Sequence, residues 1–194
     1  QAAEILKKRY QIQKGVKITI EKRIPVAAGL GGGSSDCAAA LRGLNRLWDL
    51  GLSMDELIEI GMQVGTDVPF CLHGTTAKIS GKGEIVEPIA SMPQCWVVLV
   101  KPRISVSTRK IFQIVDATQL EHVPIDDLIA AIEAQDYEAM IANMGNNLES
   151  VTIQKYPVVQ KMKDKMLKFG ADVAMMSGSG PTVFALCQKY SRAQ

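Results

Sequence analysis

No apolar run in this sequence approaches the ~20 residues that a membrane-spanning helix needs. The greasiest stretch, Cys95-Trp96-Val97-Val98-Leu99-Val100, is soon closed by Lys101-Pro102. Close cysteine pairs are also missing. Cys37, Cys71, Cys95 and Cys187 are scattered among apolar neighbours, which argues against a disulfide scaffold or a thiolate metal cluster and suits a reducing cytoplasm. Histidine is scarce: His73 and His122 stand alone, with no cluster of further ligands beside either, so no residue is assigned to metal. The formal charge of +2 is too small to announce nucleic acid or an anionic membrane.

What is present reads as a globular chain. Its 194 residues are 47% apolar and 22% charged, enough for one large domain or two smaller ones, each with a core. The pattern resets around Ala90-Ser91-Met92-Pro93, which predicts a boundary between residues 1–90 and 91–194. Ala2, Ala3, Ile5 and Leu6 look like a helix interior without a cap, so the true start is expected upstream. Val16, Ile18 and Ile20 alternate with polar residues and predict a half-buried strand ending near Lys22 and Arg23. Cys37, Leu41, Leu44 and Trp48 fall three or four apart on a helix predicted from about Ser35. Ser53-Met54-Asp55-Glu56 spells a capping box for the next helix, with Leu57, Ile60 and Val64 on one face and Gly65 as its stop.

Farther on, Thr75 to Ser80 and Glu84 to Glu87 read as strands about a Gly81-Lys82-Gly83 turn. Trp96 to Val100 reads as a buried strand. A loop from Pro102 then leads into a helix with Ile111, Phe112 and Val115 inward. Short helices are expected over Ile125 to Ala134 and Asp136 to Asn143. Val158, Val159, Met162, Met166 and Phe169 mark one more, which Gly170 stops. Two strands close the chain, Ala171 to Met176 and Thr182 to Leu186.

The stretch around which the rest is organised is Pro25-Val26-Ala27-Ala28-Gly29-Leu30-Gly31-Gly32-Gly33-Ser34-Ser35-Asp36. Glycine accepts positive φ and carries no Cβ, so several backbone N–H groups can converge on one point. A helix capped by Ser34, Ser35 or Asp36 would add its own unpaired N–H groups and the positive end of its dipole. Such a concavity suits a phosphate. It is neither a P-loop, since no Lys-Ser or Lys-Thr pair follows, nor the dinucleotide fingerprint, since Ser34 stands at the third glycine's place. On glycines alone, an anion cradle and a plain strand-to-helix turn both remain open.

Two more segments carry possible chemistry. Gly65-Thr66-Asp67-Val68-Pro69 sets a carboxylate on a turn. Taken alone Asp67 is a cap or turn former, but facing a phosphate cradle it would supply a second part that phosphoryl transfer requires. Met176-Ser177-Gly178-Ser179-Gly180-Pro181-Thr182 joins two strands, either as a hairpin only or as a second glycine surface approaching the first.

In this order, the three segments resemble the GHMP kinases. The Ser-Ser-Asp ending of the first loop and the continuation Gly43-Leu44-Asn45-Arg46-Leu47-Trp48 are similar, within them, to the 4-diphosphocytidyl-2-C-methyl-D-erythritol kinases. The resemblance implies an α+β fold. Residues 1–90 would form an ATP-binding domain like the second domain of ribosomal protein S5, and residues 91–194 a ferredoxin-like domain. It implies transfer of ATP's γ-phosphoryl group, with Mg²⁺ arriving on the nucleotide, to the 2-hydroxyl of cytidine-diphospho-methylerythritol. That is a step of the non-mevalonate isoprenoid route. On that likeness Pro25, Val26, Ala27, Ala28, Gly29, Leu30, Gly31, Gly32, Gly33, Ser34 and Ser35 match the ATP-phosphate loop. Gly178, Ser179 and Gly180 match the third motif, Lys22 a lysine near the adenine, and Asp67 the catalytic aspartate. Ser35 is a hydroxyl expected near the cation, and no residue is assigned as its ligand.

The family's Pro-Ala-Lys-hydrophobic-Asn motif and its Gly-Tyr-His segment have no counterpart in this sequence. The domains are therefore expected to be incomplete, the first at its start and the second at its end, and turnover by this stretch alone is expected to be impaired. Mevalonate-type or homoserine-type kinases and a non-catalytic nucleotide-binding fragment are the alternatives. Lys7, Lys8, Arg9, Lys14 and Lys17 raise an RNA-binding reading that the composition supports less well. No membrane partner is expected, and the sequence does not give the oligomeric state.

Overall fold

Helical periodicity in the first half and strand alternation in the last third produce an α+β chain in the computed structural model, which describes residues 1–115 and 123–194. His122 lies outside the described residues. The chain divides into two compact units, one of residues 1–26 and 31–90, the other of residues 27–30 and 91–194.

The first unit is built on four helices, α1 (Ala2–Arg9), α2 (Gly32–Leu47), α3 (Met54–Met62) and α4 (Val68–His73). The predicted stripe on α2 is real. Cys37, Leu41 and Leu44 are buried against Leu6 of α1, Leu57 and Ile60 of α3 and Val68 and Leu72 of α4, with Trp48 half-buried at the edge. Each fully buried leucine among these contributes about 2 kcal/mol by leaving water. Ser53 caps α3 in a reciprocal box with Glu56, as its spelling predicts. Helix α3 ends on Gln63 rather than at Gly65, whose N–H bonds back to the Gly61 carbonyl. A hairpin of β1 (Ala77–Ser80) and β2 (Ile85–Pro88) completes the unit, with Gly81 and Gly83 at positive φ in its turn.

One expectation fails here. Residues 16–23 form no strand, and Ile18 and Ile20 are 49% and 56% exposed. Alternation alone cannot make a strand, because its N–H and C=O groups need a neighbouring strand. No such neighbour pairs with this segment among the described residues.

The second unit holds an antiparallel sheet of β3 (Trp96–Val100), β4 (Val173–Met176) and β5 (Val183–Cys187), with β5 in the centre. Helix α9 (Val158–Lys168) covers one face, packing Val159 and Met166 on Ala174, Met176, Val183 and Ala185. β3 is therefore an edge strand with Trp96, Val97 and Leu99 exposed, not the buried strand that its apolar run suggests. Helices α5 (Thr108–Ile114), α6 (Ile125–Glu133), α7 (Tyr137–Asn143) and α8 (Glu149–Lys155) complete it. Ile111 of α5 points inward as expected, but Phe112 does not, and Phe169 beyond α9 is likewise exposed. Near the end of the chain Asp172 accepts hydrogen bonds from the Tyr137 hydroxyl, the Gln188 N–H and Arg192, which tie a 3₁₀ turn at Tyr190–Arg192 to the sheet.

Candidate functional site

In the glycine loop, positive φ recurs at every second residue: Ala27 (52°), Gly29 (75°) and Gly31 (61°). Such alternation turns successive N–H groups toward one side, the arrangement known as an anion nest. Ala27 takes part despite its Cβ, a strain the sequence did not announce.

Helix α2 starts three residues earlier than predicted. Its N-cap is Gly31 in the left-handed region, with no side-chain cap, in place of Ser34, Ser35 or Asp36. Gly31 serves because its carbonyl accepts the Ser35 N–H (2.9 Å) and its φ turns the chain into the helix directly. The first-turn N–H groups of Gly32, Gly33 and Ser34 have no acceptor within the helix. A Cβ on Gly31 or Gly33 would meet nothing within 4 Å, so their backbone borders open space. A Cβ on Gly32 would lie 2.8 Å from Ile24 Cγ2 and 3.1 Å from Lys22 Nζ. The open side at Gly31 and Gly33 lies at the positive end of a 16-residue helix, where an anion is favoured.

Lys22 is held on that first turn rather than left as a solvated strand end. Its ammonium donates to the Gly32 carbonyl (3.0 Å) and pairs with Asp36. Neighbouring Arg23 pairs with Glu21 (2.7 Å) in full exposure. Pro25 and Val26 are exposed, as is Ser35, while Leu30 and Ser34 are half-buried.

Asp67 occupies the N-cap of α4, is exposed, and makes no side-chain cap bond. The turn before it touches α2 on one side and is closely approached by Gly83 on the other. A Cβ on Gly65 would come 3.8 Å from the Ser34 hydroxyl, and one on Gly83 would meet the Thr66 carbonyl oxygen at 2.3 Å. Arg42 of α2 donates to the Leu72 carbonyl at the other end of α4, tying the two helices together. Burial pushes the nearby Cys71 thiol up, and the Asp67 carboxylate acts in the same direction.

In the second unit, the Ser-Gly-Ser-Gly turn meets the residues Ala28 and Gly29. The Ser177 hydroxyl donates to the Gly29 carbonyl (2.7 Å), and the Thr182 N–H donates to the Ala28 carbonyl (3.3 Å). A Cβ on Gly29 would come 2.2 Å from the Ser177 carbonyl oxygen and 3.1 Å from that of Gly180. Gly178 and Gly180 both adopt positive φ. The Ser179 hydroxyl is nearly buried and engaged with Thr108 Oγ1 at 2.7 Å.

Sequence reasoning missed three supports of this turn. Asn146 donates to the carbonyls of Met176 (2.7 Å) and Gly178 (2.9 Å). Glu149, paired with Lys163, accepts the Met176 N–H (2.8 Å), and Thr152 donates to the Ser179 carbonyl (3.3 Å). The polar run Asn146-Asn147-Leu148-Glu149 was the one available signal.

No group of three or more His, Cys, Asp or Glu side chains gathers to hold a metal ion among the described residues. No helix there is long and apolar enough to cross a membrane.

Residues 1–75 match the family description "GHMP kinases N terminal domain", and residues 128–194 match "GHMP kinases C terminal". The chain is 64% identical, over its whole length and 69% of the relative's, to the 4-diphosphocytidyl-2-C-methyl-D-erythritol kinase of Enterococcus faecalis. It is 55% identical to the enzyme of that name from Geobacillus thermodenitrificans, again over its whole length and 67% of the relative's. Among solved structures, a crystal structure of 4-(cytidine 5'-diphospho)-2C-methyl-D-erythritol kinase superposes with a TM-score of 0.83 at 30% identity. That match covers 99% of this chain and 69% of the other. A homoserine kinase from Cytophaga hutchinsonii superposes with a TM-score of 0.82 over all of this chain and 67% of the other; at 20% identity that is a likeness of fold.

Proposed function

The chain belongs to the 4-diphosphocytidyl-2-C-methyl-D-erythritol kinases of the GHMP kinase family, and from that premise we propose how its residues carry the reaction. The reaction moves ATP's γ-phosphoryl group to the 2-hydroxyl of 4-(cytidine 5'-diphospho)-2-C-methyl-D-erythritol, in the non-mevalonate route to isoprenoids. A bond forms between phosphorus and the 2-oxygen, the bond to the bridging oxygen of ADP breaks, and the hydroxyl proton must leave.

Pro25 to Ser35 hold the triphosphate through bare N–H groups and the tip of α2, offsetting its charge without a side chain at the point of contact. Gly178, Ser179 and Gly180 are assigned to the nucleotide as the third motif, and Lys22 is assigned near the adenine. Mg²⁺, bound with ATP, would neutralise charge on the phosphate oxygens, with the Ser35 hydroxyl near it. Asp67 orients the acceptor hydroxyl and takes its proton. A carboxylate is a far weaker base than an alkoxide, so the proton transfers late, as the new bond forms. Residues 1–90 are assigned as the nucleotide-binding domain and 91–194 as the C-terminal domain.

One observation carries this reading. The open first turn of α2 and the turn leading to Asp67 lie side by side, with Gly65 next to the Ser34 hydroxyl. In the full-length protein, Asp67→Asn is expected to lower ADP release with the cytidylated alcohol by about 10²–10⁴-fold while leaving ATP affinity within about twofold. Turnover at the wild-type rate would remove Asp67 from the mechanism. Equal or better turnover of mevalonate or homoserine would overturn the substrate.

A further inference from the structure

A peptide unit is planar and trans, so its carbonyl and its N–H point in opposite directions. Whatever grips a carbonyl therefore also aims the amide that follows. The Ser177 hydroxyl grips the Gly29 carbonyl, which turns the Leu30 N–H away from the Ser177–Gly180 turn. The Thr182 N–H grips the Ala28 carbonyl and does the same for the Gly29 N–H. Both peptide planes flank a glycine, whose backbone resists rotation least. Without these two bonds the amides would be free to swing out of register.

Ser177 is itself held in place. Asn146 brackets it with bonds to the carbonyls on either side, those of Met176 and Gly178. Glu149 fixes the Met176 N–H and is anchored in turn by Lys163; both side chains are at least four-fifths buried. Ser177's own N–H and carbonyl are closed onto Thr182 and Gly180 (both 2.9 Å). The hydroxyl is the group that reaches out of this frame.

We propose that Ser177 is a positioning residue for phosphoryl transfer: its hydroxyl, framed by Asn146 and Glu149, aims the Leu30 amide at the ATP phosphates. The inference rests on the reading of residues 25–35 as the ATP-phosphate loop. Because it acts only on amides directed at phosphate, its loss should weaken ATP and spare adenosine, which carries none.

The test titrates MgATP and adenosine separately into the full-length protein, wild type and variants. Ser177→Ala is expected to weaken ATP about tenfold and adenosine by less than twofold, with Ser177→Thr restoring ATP affinity by returning the hydroxyl. Asn146→Ala, which leaves Ser177 intact but unframed, is expected to show the same selectivity at smaller size. It serves as the deciding variant if Ser177→Ala does not fold. ATP affinity within twofold of wild type in the deciding variant, or equal loss of ATP and adenosine, overturns the proposal. Gly32→Val separates the two levels. If it leaves ATP affinity unchanged, the phosphate-loop reading falls and the proposal with it; if it abolishes ATP binding while Ser177→Ala does not weaken it, only the positioning role falls.

Discussion

Gly29 and Gly32 stand three residues apart in one loop, yet their surroundings forbid a side chain in different ways. At Gly29 the obstacle is backbone: the Ser177 and Gly180 carbonyl oxygens lie 2.2 and 3.1 Å from where a Cβ would sit. At Gly32 it is the side chains of Ile24 and Lys22. Backbone in a hydrogen-bonded turn cannot retreat, whereas an exposed isoleucine and a lysine can change rotamer. Gly29 is thus a rigid point and Gly32 an adjustable one. A side chain on Gly33 would meet no other part of the protein within 4 Å of its Cβ beyond its own helix.

Substitution by alanine grades the three. Gly29→Ala should cost the most, about 3–5 kcal/mol, because positive φ and a backbone clash add together. Thermal denaturation should show it, and a loss no larger than that of Gly32→Ala would erase the distinction. Gly32→Ala should cost about 1 kcal/mol, since Ile24 and Lys22 can yield and alanine favours the helix. Gly33→Ala should move the other way. Stability should rise by about 0.5–1 kcal/mol while ATP binds more weakly, because a methyl now stands where a phosphate would approach. Tighter ATP binding in that variant would show that the open side of Gly33 is not the ligand's side. Asp67→Asn and Ser177→Ala complete the series on the chemical side, the first acting on turnover and the second on nucleotide.

Where the sequence was legible, the information was local. The stripe Cys37, Leu41, Leu44, the Ser53–Glu56 box and the Gly81–Gly83 turn each need only a few neighbouring residues, and each forms as spelled. The glycine loop and the Ser-Gly-Ser-Gly turn were singled out by composition, and they do meet at Gly29. The bond that joins them spans 148 residues, and nothing local marks Ser177 as its donor. Helix α8 went unnoticed for a similar reason. Its useful side chains, Glu149 and Thr152, are polar and turned toward backbone groups of a distant turn, so no apolar period shows. The failed strand at 16–23 and the exposed Phe112 teach the complementary lesson. A pattern states what a segment can bury, while burial requires a neighbour to supply the cover.

That segment has a practical consequence. Val16, Ile18 and Ile20 are all exposed, and no strand pairs with residues 16–23 among the described residues. Exposed apolar side chains on an unpaired segment invite another chain to lie alongside. Concentrated preparations of this stretch by itself should therefore self-associate, and a single lysine at position 18 should keep them dispersed.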